Sequence, residues 1–165
     1  MDQDSQGKNI LQHFYEDTSK YSFPFQMMAY ITRLGLIQQT IQENPNAIIF
    51  MERSLDTDKR VFAQMLYDSG KMGEIEFQIY NRWFDYFQPK EIPRKTIYLD
   101  VSPETCFERV KQRAREGESA ITLKYLQDCH EYHQNMIKEI SFSYPVLLIN
   151  GNDESSVEEI TSYLV

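Results

Sequence analysis

The chain has 165 residues, 41% of them hydrophobic, with 17 Lys and Arg against 25 Asp and Glu. That length fits a single domain, 1–165, with a core of its own, and the formal charge of −8 argues against a duplex nucleic-acid binder, which needs a basic surface. No apolar run approaches the ~20 residues of a membrane-spanning helix, so no membrane partner is expected. The acidic start Met1-Asp2-Gln3-Asp4-Ser5 does not resemble a leader, and two cysteines, Cys106 and Cys129, suit a reduced, intracellular and most simply cytoplasmic chain.

Residues 8–16 read as a short helix with Ile10, Leu11, Phe14 and Tyr15 on one side. Ser22-Phe23-Pro24 then predicts the start of a long helix, serine as cap and proline in the first turn, running to Gln42. Asn44-Pro45-Asn46 stops it. Three apolar runs, 47–51, 96–99 and 146–149, predict buried strands, and their continuous hydrophobicity predicts a parallel sheet covered on both faces. Helical patterns fill 58–68 and 75–87, and Ser102-Pro103-Glu104 opens a helix that reaches about Arg115. Another helix spans 121–140, and Ser155-Ser156-Val157-Glu158 forms a capping box for the last. Strands alternating with helices predict an α/β fold. Three parallel strands are few for so many helices.

Three groups of residues suit chemistry. Glu52-Arg53-Ser54, with Asp56 and Asp58 close behind, follows the first predicted strand, and α/β sheets bind ligands at the carboxyl ends of strands. Arg109 and Arg113, four apart, share a helix face, with Arg115 near the helix end. Guanidinium forks match phosphate oxygens in shape and charge. Gln26 and Arg33 are two turns apart on one face, near Tyr15 and Phe25, where an amide could read the edge of a planar heterocycle. Each group also has a bland explanation, as a solvated loop, a charged helix or an ordinary core. Cys129, His130 and His133 lack further ligands at zinc spacing, and Gly7-Lys8 lacks the strand, spaced glycine and hydroxyl of a phosphate loop.

Together these segments resemble the deoxynucleoside kinase family, most closely its deoxycytidine and deoxyguanosine kinase branch. The markers are Leu11-Gln12-His13-Phe14-Tyr15-Glu16, Phe23-Pro24-Phe25-Gln26 and Ile49-Phe50-Met51-Glu52-Arg53-Ser54. Further on come Tyr98-Leu99-Asp100-Val101-Ser102-Pro103-Glu104, Arg109 to Arg115, and Leu123-Lys124-Tyr125-Leu126-Gln127-Asp128. The resemblance implies a P-loop-kinase-like three-layer fold, a parallel sheet with helices on both faces. It implies transfer of the ATP γ-phosphate to the 5′-hydroxyl of a deoxynucleoside of the deoxycytidine or purine type, in nucleotide salvage. It further implies Glu52 at magnesium, Arg53 near the 5′-hydroxyl, and Gln26 on the base between Phe25 and Phe62. Tyr15 and Glu118 would hold the 3′-hydroxyl, Arg33 and Asp58 would face the base edge, and Arg109, Arg113 and Arg115 would belong to a lid at about 109–120. Relatives of this kind also dimerise, so a homodimer through the long second helix is expected.

Family members of full length begin with a strand, a glycine-rich phosphate loop, and a second strand carrying the general base. Neither strand nor loop is found here, so the resemblance implies a sheet without its first two strands and a chain unable to turn over by itself. A mitochondrial address stays open should a segment precede Met1. Two rivals also stay open. One is a non-catalytic nucleoside-binding or dimerising relative. The other, a thymidylate-type nucleoside monophosphate kinase, fits the Gln26 and Glu52-Arg53-Ser54 segments less well.

Overall fold

The computed structural model describes residues 4–5, 7–89, 92–114, 121–152 and 157–164. The chain forms two compact units, Met1–Lys90 and Glu91–Val165.

The first unit is helical. Helix α1 (Ile10–Glu16) is held at its start by a reciprocal cap: the Asn9 side chain accepts from the Gln12 N–H at 3.0 Å, and the Gln12 side chain accepts from the Asn9 N–H at 2.9 Å. Helix α2 (Thr18–Glu43) follows at once, capped by the Asp17 carboxylate on the Lys20 N–H at 3.1 Å. The start expected at Ser22 is therefore wrong by a full turn, and Pro24 lies inside the helix. A proline there removes one N–H and crowds the carbonyl four residues back. Burial of Tyr30 and Leu34 further along the helix, both in the core, offsets that loss. Ser22, Gln26, Tyr30 and Leu34, spaced four apart, are the buried stripe of α2, while Met28, Ile31 and Leu36 are exposed.

The segment 47–51 is not a strand. Ile48 and Phe50 are 72% and 67% exposed. A strand forms only beside a partner that accepts its backbone bonds, and among the described residues none pairs with this one. Beyond it, α3 (Leu55–Thr57), a π-helical stretch (Asp58–Ala63) and α4 (Gln64–Asp68) run on as one continuous rod. Ser54 caps it by accepting from the Thr57 N–H at 3.1 Å. Helix α5 (Glu74–Phe87) begins where the Glu76 carboxylate accepts from the Gly73 N–H at 2.8 Å. The core of this unit joins Tyr30 and Leu34 of α2, Leu55, Ala63, Met72, and Tyr80 and Phe84 of α5.

The second unit holds the sheet. Strands β1 (Thr96–Asp100) and β2 (Val146–Asn150) pair in parallel, Thr96 opposite Val146 and Asp100 opposite Asn150. They are joined through α6 (Pro103–Arg113) and α7 (Leu123–Ile140), the α/β crossover that the alternating pattern predicts. Ser102 caps α6 by accepting from the Thr105 N–H at 3.2 Å, with Pro103 in the first turn. Helix α6 stops at Arg113 because Ala114 turns left-handed, at φ 47°. Met136, Ile137, Ile140 and Ile149 are buried, yet Leu99 and Leu148 are 54% and 60% exposed, so the cover expected on both sheet faces is not seen at these two residues. At the end of β2 a Cβ on Gly151 would meet Val101 Cγ2 at 2.5 Å, a close approach that only glycine allows. Helix α8 (Val157–Leu164) closes the unit, and the cap expected at Ser155-Ser156 lies outside the described residues. No helix among the described residues is long and apolar enough to cross a membrane.

Candidate active site

In the first unit, α2 and the π stretch bring Arg33 and Asp58 together although 25 residues separate them. Arg33 Nε donates to Asp58 Oδ2 at 2.7 Å, with the Asp58 side chain only 4% exposed and that of Arg33 24%. Burial raises the Asp58 pKa above the usual carboxylate range, and Arg33 and then Arg53 oppose that rise. A second nitrogen of the same guanidinium, Nη1, donates to the Glu52 carbonyl at 3.2 Å, which ties the 52–53 corner to α2. At that corner Arg53 has φ 63°, a left-handed backbone that costs a non-glycine residue about 1–3 kcal/mol and tends to be kept at functional sites. Its guanidinium lies over the Phe62 ring at 4.7 Å.

Gln26 is 4% exposed on the buried stripe of α2, two turns before Arg33. Phe25 is half-buried and stacks on Phe14, centroids 4.6 Å apart, so α1 and α2 share an aromatic contact. Tyr15 follows Phe14 and is 62% exposed. Glu52 is exposed at the corner. The structure thus joins Arg33, Asp58, Glu52, Arg53 and Phe62 through direct contacts and buries Gln26 on the helix that carries Arg33.

The second unit carries the arginine helix. Arg109 and Arg113 are both exposed on α6, and Arg109 Nη2 donates to the Gly151 carbonyl at 3.3 Å. Arg115 and Glu118 lie outside the described residues. At the carboxyl ends of β1 and β2 an open cleft of about 400 Å³ is lined by Asp100, Ser102, His130, Asn150 and others. Gln134 donates to Asp100 Oδ1 at 3.2 Å, and His130 Nδ1 lies 3.8 Å from the same oxygen. His133 Nδ1 pairs with the Cys129 carbonyl at 2.7 Å within α7. No group of three His, Cys, Asp or Glu among the described residues is arranged for a metal ion.

The chain matches the family model described as Deoxynucleoside kinase over residues 2–163. The chain belongs to the deoxynucleoside kinase family. Its relatives include human deoxycytidine kinase, 33% identical over 181 aligned residues that cover 96% of this chain and 69% of that one. The probable deoxycytidine kinase of fowlpox virus is 35% identical, covering 90% and 65%, and the mitochondrial deoxyguanosine kinase of Xenopus laevis is 32% identical, covering 88% and 61%. The chain therefore spans about two-thirds of the length of these relatives. A solved deoxyadenosine kinase from M. mycoides, bound to dCMP and dCDP, shares the fold with a TM-score of 0.79 at 21% identity, covering 99% of this chain and 84% of that one. Deoxynucleoside kinases are phosphotransferases, and the parallel α/β architecture expected from the sequence is the one this likeness shows.

Sequence reasoning missed two tyrosines of the first unit. Tyr30 and Tyr80 are fully buried beside the Arg33–Asp58 pair, their rings 5.8 Å apart. Burial pushes the Tyr30 hydroxyl up to about 12. In the sequence they are part of an aromatic helical stripe, and only their burial sets them apart. Asp56, noted only as a neighbour of Asp58, is also buried and faces Arg60 at 3.5 Å.

Proposed function

We propose that this deoxynucleoside kinase chain holds a deoxynucleoside of the deoxycytidine or purine type for transfer of the ATP γ-phosphate to its 5′-hydroxyl. The observation that carries this is the Arg33–Asp58 pair, its carboxylate 4% exposed, on the helix that also buries Gln26 two turns before Arg33. An arginine donates and a carboxylate accepts, so the two present a mixed edge to a base. An amide on the same helix adds one donor and one acceptor. Phe25 and Phe62 supply flat apolar surface for the ring, and Tyr15 a hydroxyl suited to the sugar 3′ position, with Glu118 as its partner by resemblance. Arg53, held in a strained backbone at the corner, would lie near the 5′-hydroxyl. The names of the deoxycytidine and deoxyguanosine kinase relatives support this substrate class.

Phosphoryl transfer depends on positioning and on cations around the developing charge. Arg109 and Arg113, with Arg115 beyond them, suit a lid over the ATP phosphates. Magnesium binds through one or two carboxylates beside substrate phosphates and keeps the rest of its shell as water. Glu52, an exposed carboxylate next to Arg53, fits that mode and would hold the ion. When bound, magnesium offsets phosphate charge.

Isothermal titration of the chain with deoxycytidine, deoxyguanosine and thymidine tests the pocket. The first two should bind more tightly than thymidine, and replacing Arg33 by Met together with Asp58 by Ala should shift preference toward thymidine. An unchanged order in the double variant would show that this pair does not set base choice. A homodimer belongs to the same proposal, since α2 leaves Met28, Ile31 and Leu36 exposed. Light scattering should give twice the chain mass at micromolar concentration, and a monomer there would refute the dimer.

A further inference from the structure

Tyr80 of α5 is fully buried, and its hydroxyl has no hydrogen-bond partner among the described residues. Folding strips water from such an oxygen, so an orphan hydroxyl is worse than a bare ring at the same place. Phe84, one turn further on and 2% exposed, shows that this cluster accepts a bare ring. Packing alone therefore does not explain the oxygen. Its surroundings are polar as well as aromatic. Tyr80 packs edge-on against Tyr30 of α2, Arg33 follows Tyr30 by one turn, and Asp58 opens the π stretch that packs against both α2 and α5. Burial and then the charge of Asp58 hold the Tyr80 proton on well above the usual tyrosine range, so the group is a donor throughout.

We propose that Tyr80 is a positioning residue for Asp58, its hydroxyl donating to one buried water that bonds the Asp58 carboxylate and fixes the acceptor edge offered to the base. Buried waters typically bridge otherwise unpaired polar groups in this way. Arg33 Nε engages Asp58 Oδ2. The water-borne bond from Tyr80 holds the carboxylate from the side of α5, so that the plane of the acceptor is set from two directions. The consequence is a specificity role for a residue whose ring never reaches the substrate. The inference rests on the nucleoside pocket proposed above, but the Tyr80–Asp58 link itself does not need a ligand to be measured.

The experiment is a double-mutant cycle in the full chain with Tyr80→Phe and Asp58→Ala, read by urea denaturation and by nucleoside titration. Tyr80→Phe should lower the denaturation midpoint and weaken the preferred nucleoside about tenfold, the scale of one lost hydrogen bond. In the Asp58→Ala background both effects should shrink to less than about twofold, because coupling is the signature of a shared network. A midpoint equal to or above wild type, with unchanged affinity, overturns the proposal and marks the hydroxyl as a plain orphan. Equal effects in both backgrounds also overturn it, since a merely structural role is blind to Asp58. Should the wild-type chain bind no deoxynucleoside, the pocket fails, and the denaturation cycle still decides whether Tyr80 and Asp58 are linked.

Discussion

Arg33 and Arg109 are both arginines on helices, both suited to substrate oxygens or ring edges, and they are held in contrasting ways. Arg33 donates to a carboxylate that is 4% exposed and to the backbone of the next functional segment, so its fork is fixed before any ligand arrives. Arg109 and Arg113 stand exposed on α6, with Arg109 reaching one loop carbonyl at 3.3 Å. The difference matches the tasks proposed for them. Discriminating one base from another needs donors and acceptors in fixed places, because a misdirected edge gains nothing. Closing over phosphates needs long cationic side chains that can move, since charge attracts from many geometries.

The sharpest way to break this comparison is to remove one partner of the fixed pair at a time. Arg33→Met leaves the Asp58 carboxylate buried without its cation, and a buried pair broken in this way costs about 3–5 kcal/mol. Asp58→Ala should cost less, because Arg33 is already 24% exposed and its guanidinium can turn to water. Losing Arg33 also removes a group that holds the Asp58 pKa down against burial. The folded pKa then climbs further above the unfolded one. A carboxyl raised in this way contributes stability at low pH that is lost as pH rises through the folded pKa. The Arg33→Met deficit should therefore be larger at about pH 8 than at about pH 5. Urea denaturation at both pH values checks the order and the sign, and equal costs for the two variants would show that the pair is a surface bridge.

Some of this was legible in the chain itself and some was not. Ser102-Pro103 marked the start of α6 because cap and proline act locally, and the apolar runs 96–99 and 146–149 marked both strands. The run 47–51 carries the same local signal and is not a strand, because pairing is a property of two segments and the described residues supply no second one. Pro24 misled the start of α2, since Asp17 caps the helix earlier and tertiary burial carries it past the proline. Gln26 and Arg33 could be placed on one helix face from spacing alone. The Arg33–Asp58 contact could not, because nothing local joins residues 25 apart, and only the family resemblance pointed to it. Neither the left-handed Arg53 nor the π stretch from Asp58 leaves any mark in composition or period, for both arise where packing overrides local preference.

The smallest stability effect should come from the exposed side of the comparison, and there function and stability should separate. Replacing Arg109 and Arg113 together by Ala removes two exposed side chains from α6, and exposed substitutions of this kind change stability by no more than about 0.5 kcal/mol. Alanine also favours the helix, which offsets what the Arg109 contact to Gly151 contributes. Binding of inorganic tripolyphosphate should nonetheless weaken about tenfold, because charge-assisted bonds to phosphate are lost. The wild-type affinity should also fall steeply with added salt, and the variant's less so, since screening acts on exposed charges. Titration calorimetry at low and high salt, beside a denaturation curve for each protein, reads both quantities. A variant that loses stability as Arg33→Met does, or that binds tripolyphosphate as wild type does, would place these arginines among the structural residues and end the contrast with Arg33.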